Sequence, residues 1–187
     1  MILTTSKTIF AIEKIMNALK VIFELTKFRL SFLVSFSAIF GFILASDNFY
    51  FIDLLVLGIS GYFVTASSVI NNQIIEKDLD KKMDRTKYRP LPTNRITSKK
   101  SLIISSIFML IGITIMTLYF NLIAGVLSLA SLFLYTFIYT PLKRVGPIAV
   151  FVGAIPGALP PLIGWVAFSG EITMEAIIIF SIQFIWQ

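Results

Sequence analysis

The sequence predicts an all-α protein, a polytopic bundle of helices that crosses a bilayer about five times. Three observations carry this prediction. Hydrophobic residues make up 57% of the chain and charged residues only 14%, where soluble domains carry roughly a quarter charged. Uncharged runs recur, each close to the roughly 20 apolar residues that one crossing needs. All sixteen Lys and Arg fall in three zones, residues 7–29, 77–100 and 143–144, and successive crossings bring those zones to one side.

Residues 1–27 read as a lead-in on the cytoplasmic side, an amphipathic helix lying on the membrane surface. Lys7, Glu13, Lys14, Lys20 and Glu24 interrupt this segment, so it lacks the short apolar core and small-residue cleavage site of a signal peptide. Residues 28–187 form the membrane domain. Leu30–Ser46 is the first uncharged run, extendable through Phe28. Asp47 and Asn48 make a turn with aromatic flanks, and Leu54–Ile75 is the second run. The segment 76–100 is a charged loop. Ser101–Leu142 is uncharged throughout and long enough for two spans, with Tyr119-Phe120-Asn121 placed where an interfacial hairpin would sit. Val145–Gly170 is a fifth span rich in Gly and Pro, and Ile177–Gln187 begins a sixth. The chain stops inside that apolar run and reads as the first part of a longer bundle. The loops opposite the basic zones hold Asp47, Asp53, Glu171 and Glu175 and no basic residue. The positive-inside rule then puts the N-terminus and the 76–100 loop in the cytoplasm, with the chain in a cell membrane.

Composition also excludes chemistry. There is no Cys and no His, which removes thiolate sites and the commonest general base, zinc ligand and haem ligand from this stretch. The net charge of +6 points in so apolar a chain to anionic lipid or a phosphorylated substrate, not to nucleic acid.

The stretch NNQIIEKDLDKKMDRTKYRPLPTNR, residues 71–95, packs four acidic and seven basic residues into this greasy background. Asn72, Glu76 and Asp80 are spaced four apart, and four residues along a helix drift about 40° around its axis. If the second helix continues past the membrane surface, they form one oxygen-rich stripe. Lys77, Lys81 and Arg85 sit one position over, and Arg89 lies four after Arg85. Pro90 and Pro92 end any helix. Two carboxylates and an amide oxygen suit magnesium, which keeps several waters and shares its site with substrate phosphates. Arginines beside them suit diphosphate. The same pattern also suits a solvated juxtamembrane helix with ion pairs and a basic lipid-binding cluster.

The order of residue types separates these readings. Asn72, Glu76, Leu79-Asp80, Met83, Arg85-Thr86 and Arg89 resemble the acidic-motif signature of the UbiA superfamily of intramembrane prenyltransferases. The extension DRTKYRPLPTNRIT resembles its protohaem IX farnesyltransferase (haem O synthase) branch. YTPLKR at 139–144 and GAIPGALPPLIGW at 153–165 are similar to another run of that branch. LTKFR at 25–29 resembles the entry to its first helix, where the family usually has Pro in place of Phe28. The chain departs from the pattern with Gln73 where Asp often stands and with Glu76 in place of Asp.

The resemblance implies an all-helical fold of about nine spans around a cavity, with two acidic motifs facing each other. This stretch supplies the first, so residues 1–187 alone are expected to be inactive. It implies that Asn72, Glu76 and Asp80 are catalytic, that Glu76 and Asp80 hold Mg2+, and that Arg85, Arg89, Lys143, Arg144 and Arg29 contact diphosphate. It implies farnesyl diphosphate as donor, protohaem IX as acceptor, and contact with a downstream haem A synthesis enzyme. Pro156, Pro160 and Pro161 interrupt helical hydrogen bonding mid-span, which suits a chamber wall. Gly153 and Gly157 form a GxxxG pair, which also suits plain helix packing. Two other classes stand beside this one. They are a related enzyme with a quinone-precursor acceptor and a non-enzymatic transporter or membrane anchor. An anchor would tolerate Glu76→Gln and Asp80→Asn.

Overall fold

The computed structural model describes the backbone of residues 2–187 and the side chains of residues 12–187. All its regular elements are helices: α1 (Ile2–Leu25), α2 (Phe28–Ala45), α3 (Phe51–Asp80), α4 (Ser98–Phe120), α5 (Leu122–Leu142), α6 (Ile148–Ser169) and α7 (Met174–Trp186). Five of these, α2 to α6, are long and apolar enough to cross a membrane. That is the number the sequence predicts.

The helices are sorted inside out relative to a soluble bundle. In α2 the buried face is Ser31, Ser35, Ala38, Gly41 and Phe42, while Phe32, Leu33, Phe36 and Phe40 are exposed. Small and polar residues let backbones approach, and large apolar ones face lipid. The tightest contact joins α2 to α6. A Cβ on Gly41 would overlap the carbonyl of Pro161, and one on Gly164 would overlap the carbonyl of Ala38. The hydroxyl of Ser35 donates to the carbonyl of Gly58 on α3, and Ser67 and Ser105 join α3 to α4 at 3.0 Å. These small hydroxyls replace hydrophobic driving force, which lipid does not supply between helices.

Helix α3 is longer than the apolar run predicts at both ends. Asp53 lies in its first turn and accepts from the Tyr50 N–H at 3.4 Å. A carboxylate is favourable there because the helix start carries positive charge, so it does not mark the boundary. At 30 residues, α3 extends about 45 Å, against about 30 Å of hydrocarbon. Its last turns rise clear of the apolar layer, bearing Asn72, Glu76 and Asp80.

The helix then stops at Asp80, ten residues before Pro90. The segment 81–97 is a series of turns. It is anchored by buried Leu91, which packs with Leu25 and Ile70, and by the Thr86 hydroxyl, which donates to the Asp80 carbonyl at 3.0 Å. The hairpin between α4 and α5 falls at Asn121, as the sequence predicts. Its side chain accepts from the Ala124 N–H at 2.8 Å and donates to the Val166 carbonyl at 2.8 Å. Helix α6 stays helical through Pro156, Pro160 and Pro161, packed against α2, α5 and α7, the neighbours that tolerate prolines within a span.

Candidate functional site

The three basic zones of the sequence converge at one end of the bundle. There the end of α3, the 81–97 turns, the end of α5 and the α1–α2 junction surround a single polar cluster. Asn72, Glu76 and Asp80 lie on one face of α3, as their spacing predicts, and are 2%, 8% and 3% exposed. Such burial of charge requires partners, and each carboxylate has one. Glu76 Oε2 accepts from Lys143 Nζ at 2.7 Å and from Asn72 Nδ2 at 3.0 Å. Asp80 accepts from Arg89 Nη1 through both oxygens, at 2.7 and 2.9 Å. Asn72 also donates to Thr140 Oγ1 at 3.1 Å, and Thr140 donates to the Tyr135 carbonyl at 2.8 Å. The two cations come from different elements that follow α3 in the chain, Arg89 from the turns after it and Lys143 from the end of α5.

The remaining predicted cations are placed differently. Arg144 Nη2 donates to the Ile75 carbonyl at 3.1 Å and stays exposed, beside the cluster. Arg85 is exposed and makes no ion pair among the described residues. It does not share a helix with Arg89, because α3 has already ended. Arg29 lines a shallow groove with Phe23, Phe28 and Leu33 on the outer side of α2.

Lys27, two residues before Arg29, lines the same groove and also lies close enough to the cluster for its charges to act on the ammonium. It is not among the site residues the sequence predicts. It occupies the left-handed backbone region at φ 44°, which costs a non-glycine residue energy and must be held by its surroundings. Three bonds hold it. Ser31 Oγ donates to the Thr26 carbonyl at 2.7 Å, Tyr62 donates to Thr26 Oγ1 at 3.0 Å, and the Gln73 amide donates to the Leu25 carbonyl. The last bond gives Gln73 a task that Asp, with no N–H, could not perform. Burial, then the charges of Arg89 and Lys143, lowers the Lys27 ammonium from 10.5 to about 8, partly offset by Asp80 and Glu76. The only sequence signal for Lys27 was its place in LTKFR.

Next to the cluster, between the spans, is a cavity of about 290 Å³. Tyr135, Tyr139, Pro156 and Pro160 line it, with Val69 and Met116. Gly153 and Gly157 line it too, and a Cβ on Gly153 would meet the Tyr139 ring at 2.5 Å. The pair therefore widens a chamber. Lys143 Nζ lies 5.7 Å from the Tyr139 ring centre, which joins the charged cluster to the aromatic wall.

The carboxylates and cations thus stand beside an apolar chamber. The UbiA prenyltransferase family model matches residues 34–187.

The chain belongs to the UbiA prenyltransferase family.

Among its curated relatives, Protoheme IX farnesyltransferase of Cytophaga hutchinsonii is 50% identical over 166 residues, which is 88% of this chain and 58% of that protein. The protein of the same name in Christiangramia forsetii is 44% identical over 164 residues, 88% of this chain and 54% of that protein. The Arabidopsis thaliana mitochondrial protein of that name is 39% identical over 88% of this chain and 38% of its own length. The chain thus spans just over half the length of these bacterial relatives. Among solved structures, a digeranylgeranylglyceryl phosphate synthase superposes with a TM-score of 0.79 at 23% identity, covering 89% of this chain and 58% of that one. A UbiA homologue from Archaeoglobus fulgidus, bound to DMAPP and Mg2+, superposes at 0.72 and 16% identity, covering 88% and 60%. Both show the same fold.

The family's metal can be tested against this chain's donors. Asn72, Glu76 and Asp80 offer only hard oxygens, the type magnesium takes. Among the described residues, no group of three acidic, His or Cys side chains could enclose a metal ion unaided. Two carboxylates completed by substrate phosphates and water is the usual way magnesium is bound, so the donors fit.

Proposed function

We propose that this chain forms the diphosphate-binding part of an enzyme that transfers a farnesyl group from farnesyl diphosphate to a vinyl group of protohaem IX, the step from haem B to haem O in haem A biosynthesis. The observation that carries this is the pairing of two buried carboxylates, Glu76 and Asp80, with Lys143 and Arg89, with Lys143 lying 5.7 Å from the ring centre of Tyr139, which lines the chamber. The names of the curated relatives support the choice of donor and acceptor.

In this reading Glu76 and Asp80 hold Mg2+, oriented by Asn72. The ion, when bound with diphosphate, supplies charge that neutralises the leaving group. Lys143 and Arg89 then turn from carboxylate to phosphate oxygens, and Lys27 and Arg144 add charge beside them. The allylic C–O bond breaks and its electron pair leaves with the diphosphate. The π electrons of the haem vinyl group form the new C–C bond to the farnesyl carbon. Water adds to the carbon left cationic and gives up one proton, producing a hydroxyethylfarnesyl group. The rings of Tyr135 and Tyr139 face the chamber, where aromatic faces stabilise a passing cation. The basic end faces the cytoplasm of the bacterial cell, by the positive-inside rule.

The test is product identity. Membranes carrying the polypeptide that contains residues 1–187 are supplied with farnesyl diphosphate, haem and magnesium. The expected product is haem enlarged by one farnesyl group and one hydroxyl. Prenylation of a quinone precursor with haem untouched would overturn the choice of acceptor.

A further inference from the structure

Helix α1 and the head of α4 enclose a second groove, of about 680 Å³, that prenyl transfer does not use. Its cationic rim is Lys20, Arg95 and Lys100, and its walls include Val21, Ile96 and Ile104. Arg95 is held in place: it pairs with Glu24, donates to the Tyr88 carbonyl at 2.7 Å and to Thr93 Oγ1 at 3.2 Å. Lys20 and Lys100 are in no ion pair among the described residues. Glu24 offsets only one of the three charges.

The groove also has a polarity gradient at the right depth. Lys100 sits in the first turn of α4, a membrane-crossing helix that begins at Ser98. Ile104 is four residues further in, about 6 Å deeper. Cations therefore stand at headgroup level with aliphatic walls beneath. On the flank of α1, Ile12, Ile15, Met16, Leu19 and Phe23 are all more than half exposed. Their spacing gives one apolar stripe, the pattern of a helix seated in an interface.

We propose that this groove binds the phosphate headgroup of an anionic diacyl phospholipid, with an acyl chain along Ile96 and Ile104. The rim's positive excess, left after Glu24 offsets one of three cations, complements a phosphodiester, and the apolar walls select a lipid over a free anion. The bound lipid seats α1 on the bilayer surface. Through Arg95 it braces the turns that carry Arg89.

The experiment uses the chain in nanodiscs of phosphatidylcholine, doped with a photoactivatable phosphatidylglycerol. Cross-links are expected in segments 17–22 and 95–104 and should be competed by unlabelled phosphatidylglycerol. Lys20→Gln with Lys100→Gln should weaken this labelling about twenty-five-fold, near fivefold per cation at a membrane surface. Lys20→Arg with Lys100→Arg should retain it and reports on folding. Lys81→Gln with Lys82→Gln removes equal charge elsewhere and should change it little. Equal loss from both Gln pairs would reduce the groove to general surface attraction. Displacement by inorganic phosphate would make it a free-anion site. Labelling unaffected by unlabelled phosphatidylglycerol would remove it altogether. Each of these three results overturns the proposal.

Discussion

Lys27 gives the sharpest prediction at the level of single residues. It releases its proton near pH 8 in the folded chain and near 10.5 when unfolded. Between those values the unfolded chain binds more protons, so Lys27 makes stability rise with pH across that window. A diphosphate beside it favours the protonated form. Affinity for farnesyl diphosphate should therefore fall as pH rises through about 8. Lys27→Met should flatten that dependence and weaken binding about tenfold, the worth of a charge-assisted hydrogen bond. An unchanged pH slope in the variant would remove Lys27 from the site. The Arg89–Asp80 pair is a second case, with side chains 19% and 5% exposed. Arg89→Met strands a buried carboxylate and should cost about 3 kcal/mol in unfolding experiments. Adding Asp80→Asn should recover part of that, since no buried charge is then left alone. If the two losses simply add, the pair is not coupled. The stripe of Asn72, Glu76 and Asp80 was legible because helical spacing alone aligns it. Which cation meets which carboxylate was not, because the turns after Asp80 have no periodicity to read. That is why Arg85 and Arg89 look equivalent in sequence and differ in the structure.

The individual helices show the same division. The five crossings follow from apolar length, and Asn121 follows from hairpin placement. The second uncharged run begins at Leu54 and its helix three residues earlier, at Phe51, because Asp53 is a favourable first-turn residue. The prolines of α6 remove helical hydrogen bonds, and packing partners keep the helix continuous. The α2–α6 seam tests this packing. Gly164→Ala pushes a methyl into the Ala38 carbonyl and should cost about 1–3 kcal/mol, read as a lowered Tm in detergent. Gly153→Ala presses instead on the Tyr139 ring. It should lower farnesyl diphosphate affinity with little change in Tm, because it narrows the chamber without parting two helices.

For the molecule as a whole, charge placement links fold and function. Zones far apart in sequence, at 27–29, 77–100 and 143–144, meet at one end, while Asp47, Asp53, Glu171 and Glu175 lie in loops and helix starts without basic neighbours. Residues 1–187 hold no cysteine, so single cysteines placed in them at Lys82 and Ser169 can be labelled in sealed vesicles. They should react from opposite faces, and reaction from one face would contradict the five-span topology. The whole account rests on Glu76 and Asp80 being metal–diphosphate ligands and not merely ion-pair partners of a surface helix. The most direct test is the rate of haem farnesylation by the polypeptide containing residues 1–187 with Glu76→Gln and Asp80→Asn, in membranes where both forms fold equally. The account predicts a fall of about a hundredfold or more that added magnesium does not rescue. Undiminished turnover in the double variant would contradict it.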